Sequence, residues 1–391
     1  RKMVQKIPAS GLDNAGGNFK NLLINGDYQI WQRGITAATV TDSSSAGTYL
    51  ADRWQTWEDT GGTITQEQSA LDNDDFETTG MRNALLVKCT GTDSSIGAAE
   101  FAMITQTIEA QNCQGLKWGT DNAKDVTLSF WVKSNLTGTF TATIRKPDTT
   151  FYYIAKEYTI SSANTWEQKT ITYGPGDTNG SVLKASTGNI VNDTGEGIWV
   201  QFGLTFGSNF HGTAGTWTNA ITGLSTSNQT NFMSSTSNNF YLTGVQFEAG
   251  SGASDFEHVP HDIEMQRCQR YYESNYDYET GVYPAEDQNY GGLAVTLQGH
   301  GYAADNMRHF VYFKVRKRNI PSVTYYRVDG LANGSTAGRW DWYDGAWAQM
   351  DGVTTVGEAT ETGIDVNMVD TDISATNSHL IAGGWEADAE L

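Results

Sequence analysis

The amino-acid sequence predicts an all-β chain, on three observations. Short segments alternate apolar and polar residues at period two. Gly, Asn, Ser and Thr bound these segments at regular spacing. Up to about residue 258, no stretch of helical period separates one segment from the next. The third observation excludes a βαβ arrangement and leaves an antiparallel sandwich or jelly roll. At 391 residues the chain is long enough for two or three domains.

In chain order, residues 1–20 are polar, carry GGN at 16–18, and read as an extended arm suited to packing on a neighbouring subunit. Residues 21–34, NLLINGDYQIWQRG, suit a hairpin, a bulged strand or a binding site. Strands are expected at 126–134, 138–146, 151–160, 167–173, 197–206 and 238–248. In the first, Leu128, Phe130 and Val132 share one face, with Ser129 and Trp131 on the other. In the fifth, Val200, Phe202 and Leu204 oppose Trp199, Gln201 and Gly203. The Ser/Thr/Asn-rich stretch 225–239 reads as a surface loop.

FEHVPHDIEMQRCQRYYES (256–274) breaks the alternation. Pro260 suits a first helical position, Asp262 and Glu264 suit the positive end of a helix dipole, and Met265, Cys268 and Tyr272 fall on one face. The spacing predicts a helix over about 260–272 that marks a boundary. Beyond it, strands are expected within 292–299, 307–317, 322–330, 338–345, 346–352 and 378–391, forming a second, smaller β-sandwich domain. The resulting division is an arm at 1–20, a main domain at 21–258, a connecting helix at 259–274 and a C-terminal β domain at 275–391.

Hydrophobic residues make up only 38% of the chain, yet 12% is aromatic, so much of the apolar area sits in a few large rings. A formal charge of −20 repels phosphate backbones and anionic lipid surfaces, which argues against nucleic-acid and membrane partners. There is no apolar run of membrane-spanning length, and RKMVQKIPAS lacks the apolar segment of a secretory leader, so a soluble chain without export is expected. Cys89, Cys113 and Cys268 are too few and scattered for a disulfide framework or zinc site; buried free thiols are expected, with a Cys89–Cys113 bridge the lesser alternative.

The motifs point away from catalysis. GHGYAA (299–304) has the glycine spacing of a dinucleotide turn, but a strand pattern follows it where a helix is needed. Phosphate-loop and nucleophile-elbow motifs are absent. His258 and His261 beside Glu257, Asp262 and Glu264 read as a polar helix start more readily than as metal ligands. LDNDDFETTG (71–80) fails as a calcium loop, because Phe76 and Glu77 stand where a ligand and a glycine belong. With 45 acidic residues, no carboxylate pair stands out as a glycosidase pair.

Two clusters remain as binding candidates. Lys314, Arg316 and Arg318 alternate in FKVRKR, with Lys317 opposite, as a basic stripe for an acidic subunit or anionic glycan, or simply a solvated face. Trp340, Trp342 and Tyr343 flank a DG turn and suit stacking on sugar rings, subunit anchoring or the small domain's core.

The succession NLLINGDYQIWQRG, ADRWQ (51–55), LSFWVKS, ANTWEQKTITY, GLTFGSNF, NNFYLTGVQFEAG and FEHVPHDIEMQRCQRYYE resembles the carbohydrate-binding-module-like jelly-roll proteins of tailed-bacteriophage tail fibres and virion appendages. KRNIPSVTYY and HLIAGGWEADAEL resemble their C-terminal β domain, so the likeness spans about 20–391. It implies that 21–34 is the first jelly-roll strand, bent at Asn25-Gly26, with Tyr28, Ile30 and Gln32 on one face and Gln29, Trp31 and Arg33 on the other. Trp31 and Trp54 would then be structural.

The resemblance also implies a structural calcium between the first and last strands. Asp27 and Glu248 are its candidate ligands by position, although Gln246 stands where an acid would serve. No other cofactor is expected. The function implied is that of a non-enzymatic virion protein, a homo-oligomer and most simply a trimer, joined to other virion proteins by its arm and attached to host surface polysaccharide through many weak contacts. The alternatives are an architectural head-decoration or tail-assembly protein and a polysaccharide depolymerase.

Overall fold

A computed structural model describes residues 19–275, apart from 42 and 44–46, together with 293–298, 306–326, 341–343, 347–349, 355–369 and 378–391. The arm at 1–18 and GHGYAA lie outside the described residues.

The first part of the chain runs β1 (Ala38–Thr39), β2 (Thr48–Tyr49), β3 (Gln55–Asp59), β4 (Thr63–Ala70), α1 (Asn73–Thr79), β5 (Asn83–Gly91), β6 (Phe101–Glu109), β7 (Val126–Ser134), β8 (Gly138–Lys146), β9 (Tyr152–Ile160), β10 (Glu167–Tyr173), β11 (Glu196–Phe206) and β12 (Asn239–Ala249). These strands form two antiparallel six-stranded sheets, in the orders β1-β4-β5-β12-β7-β10 and β2-β3-β6-β11-β8-β9. The chain crosses repeatedly between the two, as in a jelly roll. The alternation expected from sequence is the one observed: Leu128, Phe130, Val132, Val200, Phe202 and Leu204 all enter one core between the sheets.

That core is ring-filled. Trp54 lies 5.1 Å from Tyr28 and 6.3 Å from Phe202, and Phe130 meets Phe202 edge-on at 4.9 Å. Trp31 and Trp54 are both buried, as expected of structural residues. Each fully buried ring of this size contributes on the order of 2–3 kcal/mol. The three thiols are free and buried.

Residues 21–34 are not a strand. Asn25 and Tyr28 have φ of 58° and 54°, which breaks any run of strand geometry, and Tyr28, Ile30, Trp31 and Gln32 are all buried instead of alternating. The bulge lies in the partner: β12 shifts register between Thr243 and Gln246, with Gly244 at φ +59°. The opening segment docks on that bulge through Leu22 N–H to Phe247 O and Val245 N–H to Gly26 O. Gly26 is required by close approach, since a Cβ there would meet the Val245 carbonyl oxygen at 2.1 Å. The Asn25 side chain takes the place of strand pairing, accepting from Ile30 N–H and donating to the carbonyls of Ile30 and Asp52.

LDNDDFETTG forms α1. Asp72 caps it by accepting from Asp75 N–H, Asp74 and Asp75 sit in the first turn, and Gly80 closes it at φ +76°. The stretch 225–239 is no free loop, because Ser225, Thr226, Phe232, Met233 and Asn238 are buried where the chain crosses back over the sandwich.

The helix expected after the jelly roll is α2 (His261–Gln269), with Pro260 as its N-cap in place of the first helical residue; it ends short of the expected 272, because Tyr272–Ser274 pair with the C-terminal strand and Tyr272 leaves the helix face expected for it. Its Cys268 packs with Ile24, Ile30 and Tyr271, so the helix sits on the opening segment. Strands β13 (Tyr272–Ser274), β14 (Leu293–Gln298), β15 (Asn306–Tyr312), β16 (Ser322–Tyr326), β17 (Asp341–Tyr343), β18 (Trp347–Gln349), β19 (Thr355–Thr360), β20 (Gly363–Val369) and β21 (Ser378–Asp388) follow. β21 is the spine: its final half pairs with β13 and β16, its first half with β14 and β17. β15, β20 and β19 form a separate sheet.

A charged junction ties the two parts together. Arg33 lies 3.5 Å over the Tyr272 ring and pairs with Asp388 at 3.1 Å and Glu390 at 3.5 Å. Arg53 covers Tyr271 and pairs with Glu390, and Arg270 pairs with the fully buried Glu109 at 2.7 Å. Lys317 and Glu273 form a completely buried pair at 2.6 Å, and Lys317 Nζ also donates to the Gln269 carbonyl. Removing one partner of such a pair leaves an uncompensated charge. Lys317→Met is therefore expected to destabilise the protein by about 3–5 kcal/mol, and Lys317→Met combined with Glu273→Leu to recover most of that loss in denaturant unfolding.

Candidate functional site

The two outer faces of the sandwich differ. On the β1-β4-β5-β12-β7-β10 sheet, Leu71, Met81 and Trp166 are buried together and Trp131, Tyr241 and Phe256 pack against them. Helix α1 is fastened to this face through Asp75, which accepts from Trp166 Nε1 at 2.7 Å and Lys133 Nζ at 3.0 Å.

The outer face of the β2-β3-β6-β11-β8-β9 sheet is built by strict alternation. Because Ile144, Val200, Phe202 and Ile104 point into the core, Arg145, Trp199, Gln201, Met103 and Thr105 point out. Register sets them side by side: Trp199 opposes Arg145 on one flank and Thr107 on the other, Met103 opposes Trp57, and Arg145 opposes Tyr153. A run of rings crosses the face. Phe210 meets Phe206 at 5.6 Å, Phe206 stacks on Phe101 at 6.2 Å, Phe101 lies 6.5 Å from Trp57, and Trp57 lies 6.4 Å from Trp199. The Arg145 guanidinium then sits 4.1 Å over Trp199 and 5.2 Å from the Phe151 ring, which is 45% exposed.

One end of this face is covered by the chain crossing back from β11 to β12. Thr143 Oγ1 donates to the Leu224 carbonyl and Thr226 to Glu157, and Leu224 and Phe210 join Met103 and Tyr153 in a small cluster. At the other end, polar groups meet the rings. Trp57 Nε1 donates to Gln55 Oε1 at 2.9 Å, and Gln201 Nε2 points at the thioether of Met103. Trp199 Nε1, Gln201 Oε1 and Arg145 Nε are buried polar atoms with no hydrogen-bond partner. Nearly all buried polar atoms in folded proteins are paired, and three of those without a partner fall together on this patch.

The sequence-derived candidates are placed elsewhere. Trp340 lies outside the described residues; Trp342 and Tyr343 lie on β17, paired with Ile381 and Leu380 of β21, and their side chains are outside the described residues. The basic stripe does not form, because β15 ends at Tyr312 and residues 313–321 leave the sheet. There, Arg316 pairs with Glu361 at the surface, while Arg318 donates to the carbonyls of Thr194, Ala389 and Glu390, as a tie between the two parts of the chain. Lys314 N–H donates to Glu273.

Asp27 and Glu248 belong to different networks. Glu248 accepts from Gln246 Nε2 at 2.8 Å and from the Ser254 N–H and hydroxyl, and Lys20 Nζ donates to that same hydroxyl at 2.7 Å. Donors thus surround Glu248 where a calcium would need further oxygen ligands, and no group of three or more His, Cys, Asp or Glu able to hold a metal occurs among the described residues. The donor set around Glu248 does not fit calcium.

Asp27 lies near Glu264 and His258. Burial, with Glu264 adding like-charge repulsion, pushes its carboxyl up to about 6. A carboxyl that ionises harder in the folded state than in the unfolded chain destabilises the fold above pH 6 and ceases to do so below about 4. Asp27→Asn is therefore expected to raise unfolding free energy at pH 7 by about 1–2 kcal/mol, with the gain gone at pH 4 in paired denaturant titrations.

The rings of the outer face were partly legible in sequence. Alternation places Trp199 and Gln201 opposite the core, and the same pattern in GTFTATIRK would have placed Arg145. Trp57, in a five-residue strand, carries too short an alternation to stand out.

No protein-family model and no curated protein matches the sequence. Among solved structures, the chain is similar to a protein titled "CBM4 structure and function", at 14% identity over 57% of this chain and 97% of that one, with a TM-score of 0.28. It is similar to a family 11 carbohydrate-binding module from Clostridium thermocellum in complex with a β-1,3-1,4-mixed-linked tetrasaccharide, at 12% identity over 57% and 99%, TM-score 0.27. It is also similar to the enzymatically active domain of tailspike protein 4 of bacteriophage CBA120, at 13% identity over 59% and 22%, TM-score 0.27. At these scores the likenesses carry no argument about what this chain binds.

Proposed function

We propose that this chain is a non-catalytic structural protein of a virion, of the tail-fibre or appendage kind, that attaches to surface glycans through the outer face of the β2-β3-β6-β11-β8-β9 sheet. The observation that carries the reading is the half-buried Trp57, backed at 6.4 Å by the nearly buried Trp199, with the half-buried Arg145 and the exposed Phe151 ring 5.2 Å from it on the same rigid strand platform. Pyranose rings offer apolar C–H faces to indoles and hydroxyls to guanidinium groups, and this patch supplies both kinds of partner. The virion assignment is supported by the ordered motifs of the sequence.

In this proposal the chain assembles as a homo-oligomer, most simply a trimer, with residues 1–20 joining it to other virion proteins. Copies on one particle multiply a weak site into firm attachment. The enzyme alternative would need a carboxylate pair at this patch; Glu157 on β9 is engaged by Thr226 and Asn228, and Asp59 lies two residues from Trp57 on the same face, beside Phe101.

Glycan-array binding by the full chain is the expected result. Trp57→Ala should weaken it about ten-fold or more while far-UV circular dichroism stays native; because Trp57 lies outside the main core but packs on the Met103 and Phe206 cluster, a lower unfolding midpoint accompanies it, and Trp57→Phe should keep most of the stability. Absence of glycan binding together with tight retention on purified particles would point instead to an architectural role, and release of reducing sugar to a depolymerase.

A further inference from the structure

We infer that the glycan bound on this face is acidic, carrying a uronate-type carboxylate that Arg145 receives. The inference rests on the glycan-binding reading above and adds the charge of the ligand to it.

Among the described arginines Arg145 stands apart: Arg82, which also lacks a carboxylate, bonds Asn73 at the surface. Arg33, Arg53, Arg267, Arg270 and Arg316 each pair with a carboxylate, and Arg318 donates to three carbonyls. Arg145 makes neither an ion pair nor a hydrogen bond with a described residue, and its Nε is buried without a partner. It lies instead against rings, 4.1 Å over Trp199, 5.2 Å from Phe151 and 6.0 Å from Tyr153.

The nearby acids are committed elsewhere. Glu157 is held by Thr226 and Asn228, Asp148 accepts from Val191 N–H, and Glu109 pairs with Arg270. In a chain of net charge −20, this half-buried guanidinium has its Nε shut away from water and no carboxylate beside it, and an anion would complete it in a partly desolvated setting.

The neighbouring rings fit the rest of such a sugar. Trp199 Nε1, under the same guanidinium, and Gln201 Oε1, two residues along β11, are also unpartnered, but both are fully buried, so the guanidinium's outer edge and the Phe151 and Trp57 rings are what a sugar would meet. Trp199 is 7% exposed and Gln201 1%, so these atoms lie at the floor of the patch, with Arg145 and Trp57 above them. A guanidinium offers a carboxylate a planar fork, and a ring-stacked arginine keeps that fork oriented. A neutral glucan or xylan would leave the charge unanswered. Because the whole chain is strongly acidic, long-range steering opposes an anionic ligand, so recognition has to come from this short-range, partly desolvated contact.

The test is an array pairing galacturonate-, glucuronate- and mannuronate-containing oligosaccharides with their carboxyl-reduced neutral counterparts, probed with the full chain. At least one acidic member is expected to bind about ten-fold or more tighter than its neutral partner. Arg145→Gln should abolish that preference while far-UV circular dichroism and unfolding midpoint stay unchanged, and Arg145→Lys should retain part of it. Trp57→Ala should weaken acidic and neutral members alike. Equal binding of the paired members, or a preference that survives Arg145→Gln, overturns this inference and leaves the glycan-binding reading standing. Binding to no member overturns both.

Discussion

The period-two alternation of side chains, combined with the close packing of two sheets, is the constraint from which the other features follow. Once Phe130, Val200, Phe202, Ile104 and Ile144 are committed to the space between the sheets, their neighbours must point outward. Slipping any strand by one residue would exchange Trp199 for Val200 and Arg145 for Ile144, placing a guanidinium in the core. Register is therefore fixed by the cost of burying the wrong face, and the outer patch inherits its geometry from the core.

The two outer faces show what the chain does with the surface it is obliged to expose. One is closed by its own helix, with Asp75 pinning α1 to Lys133 and Trp166. The other is covered in large part by the chain crossing between β11 and β12, which Thr143 and Glu157 receive and which buries Met103 and Tyr153, leaving Trp57, Arg145 and Phe151 at its margin. That margin keeps the Trp57 and Phe151 rings and the Arg145 guanidinium beside strands held by the core. Such a surface recognises by position and not by rearrangement, because its side chains stand on strands held by the core.

A second constraint concerns the junction. The opening segment has given up strand pairing and uses the side chains of Asn25 and Asp52 to satisfy its backbone, which leaves a shaped seat for α2. Arg33 and Arg53 then reach across to residues 388–390, and Lys317 and Arg318 reach back. Residues more than 300 positions apart in sequence thus share one charged, ring-lined seam. Buried pairs of this kind contribute less to net stability than to the choice of a single docking geometry, which accords with their concentration at the seam between the sandwich and the C-terminal sheets.

The sequence by itself determined the all-β class, the faces of the long strands and the helix after the sandwich. These are local properties: a nine-residue strand shows its period whatever it pairs with, and a helix start shows its caps. Only the tertiary structure decided that 21–34 is a bent seat and not a strand, that FKVRKR leaves the sheet, that donors occupy Glu248, and that Trp57, Trp199 and Arg145 meet. Each of those depends on a partner distant in sequence: the bulge of β12, the end of β15, the approach of Ser254, the register of four strands. Short-range pattern carries no information about which strand lies beside which, and the shared patch exists only through that pairing.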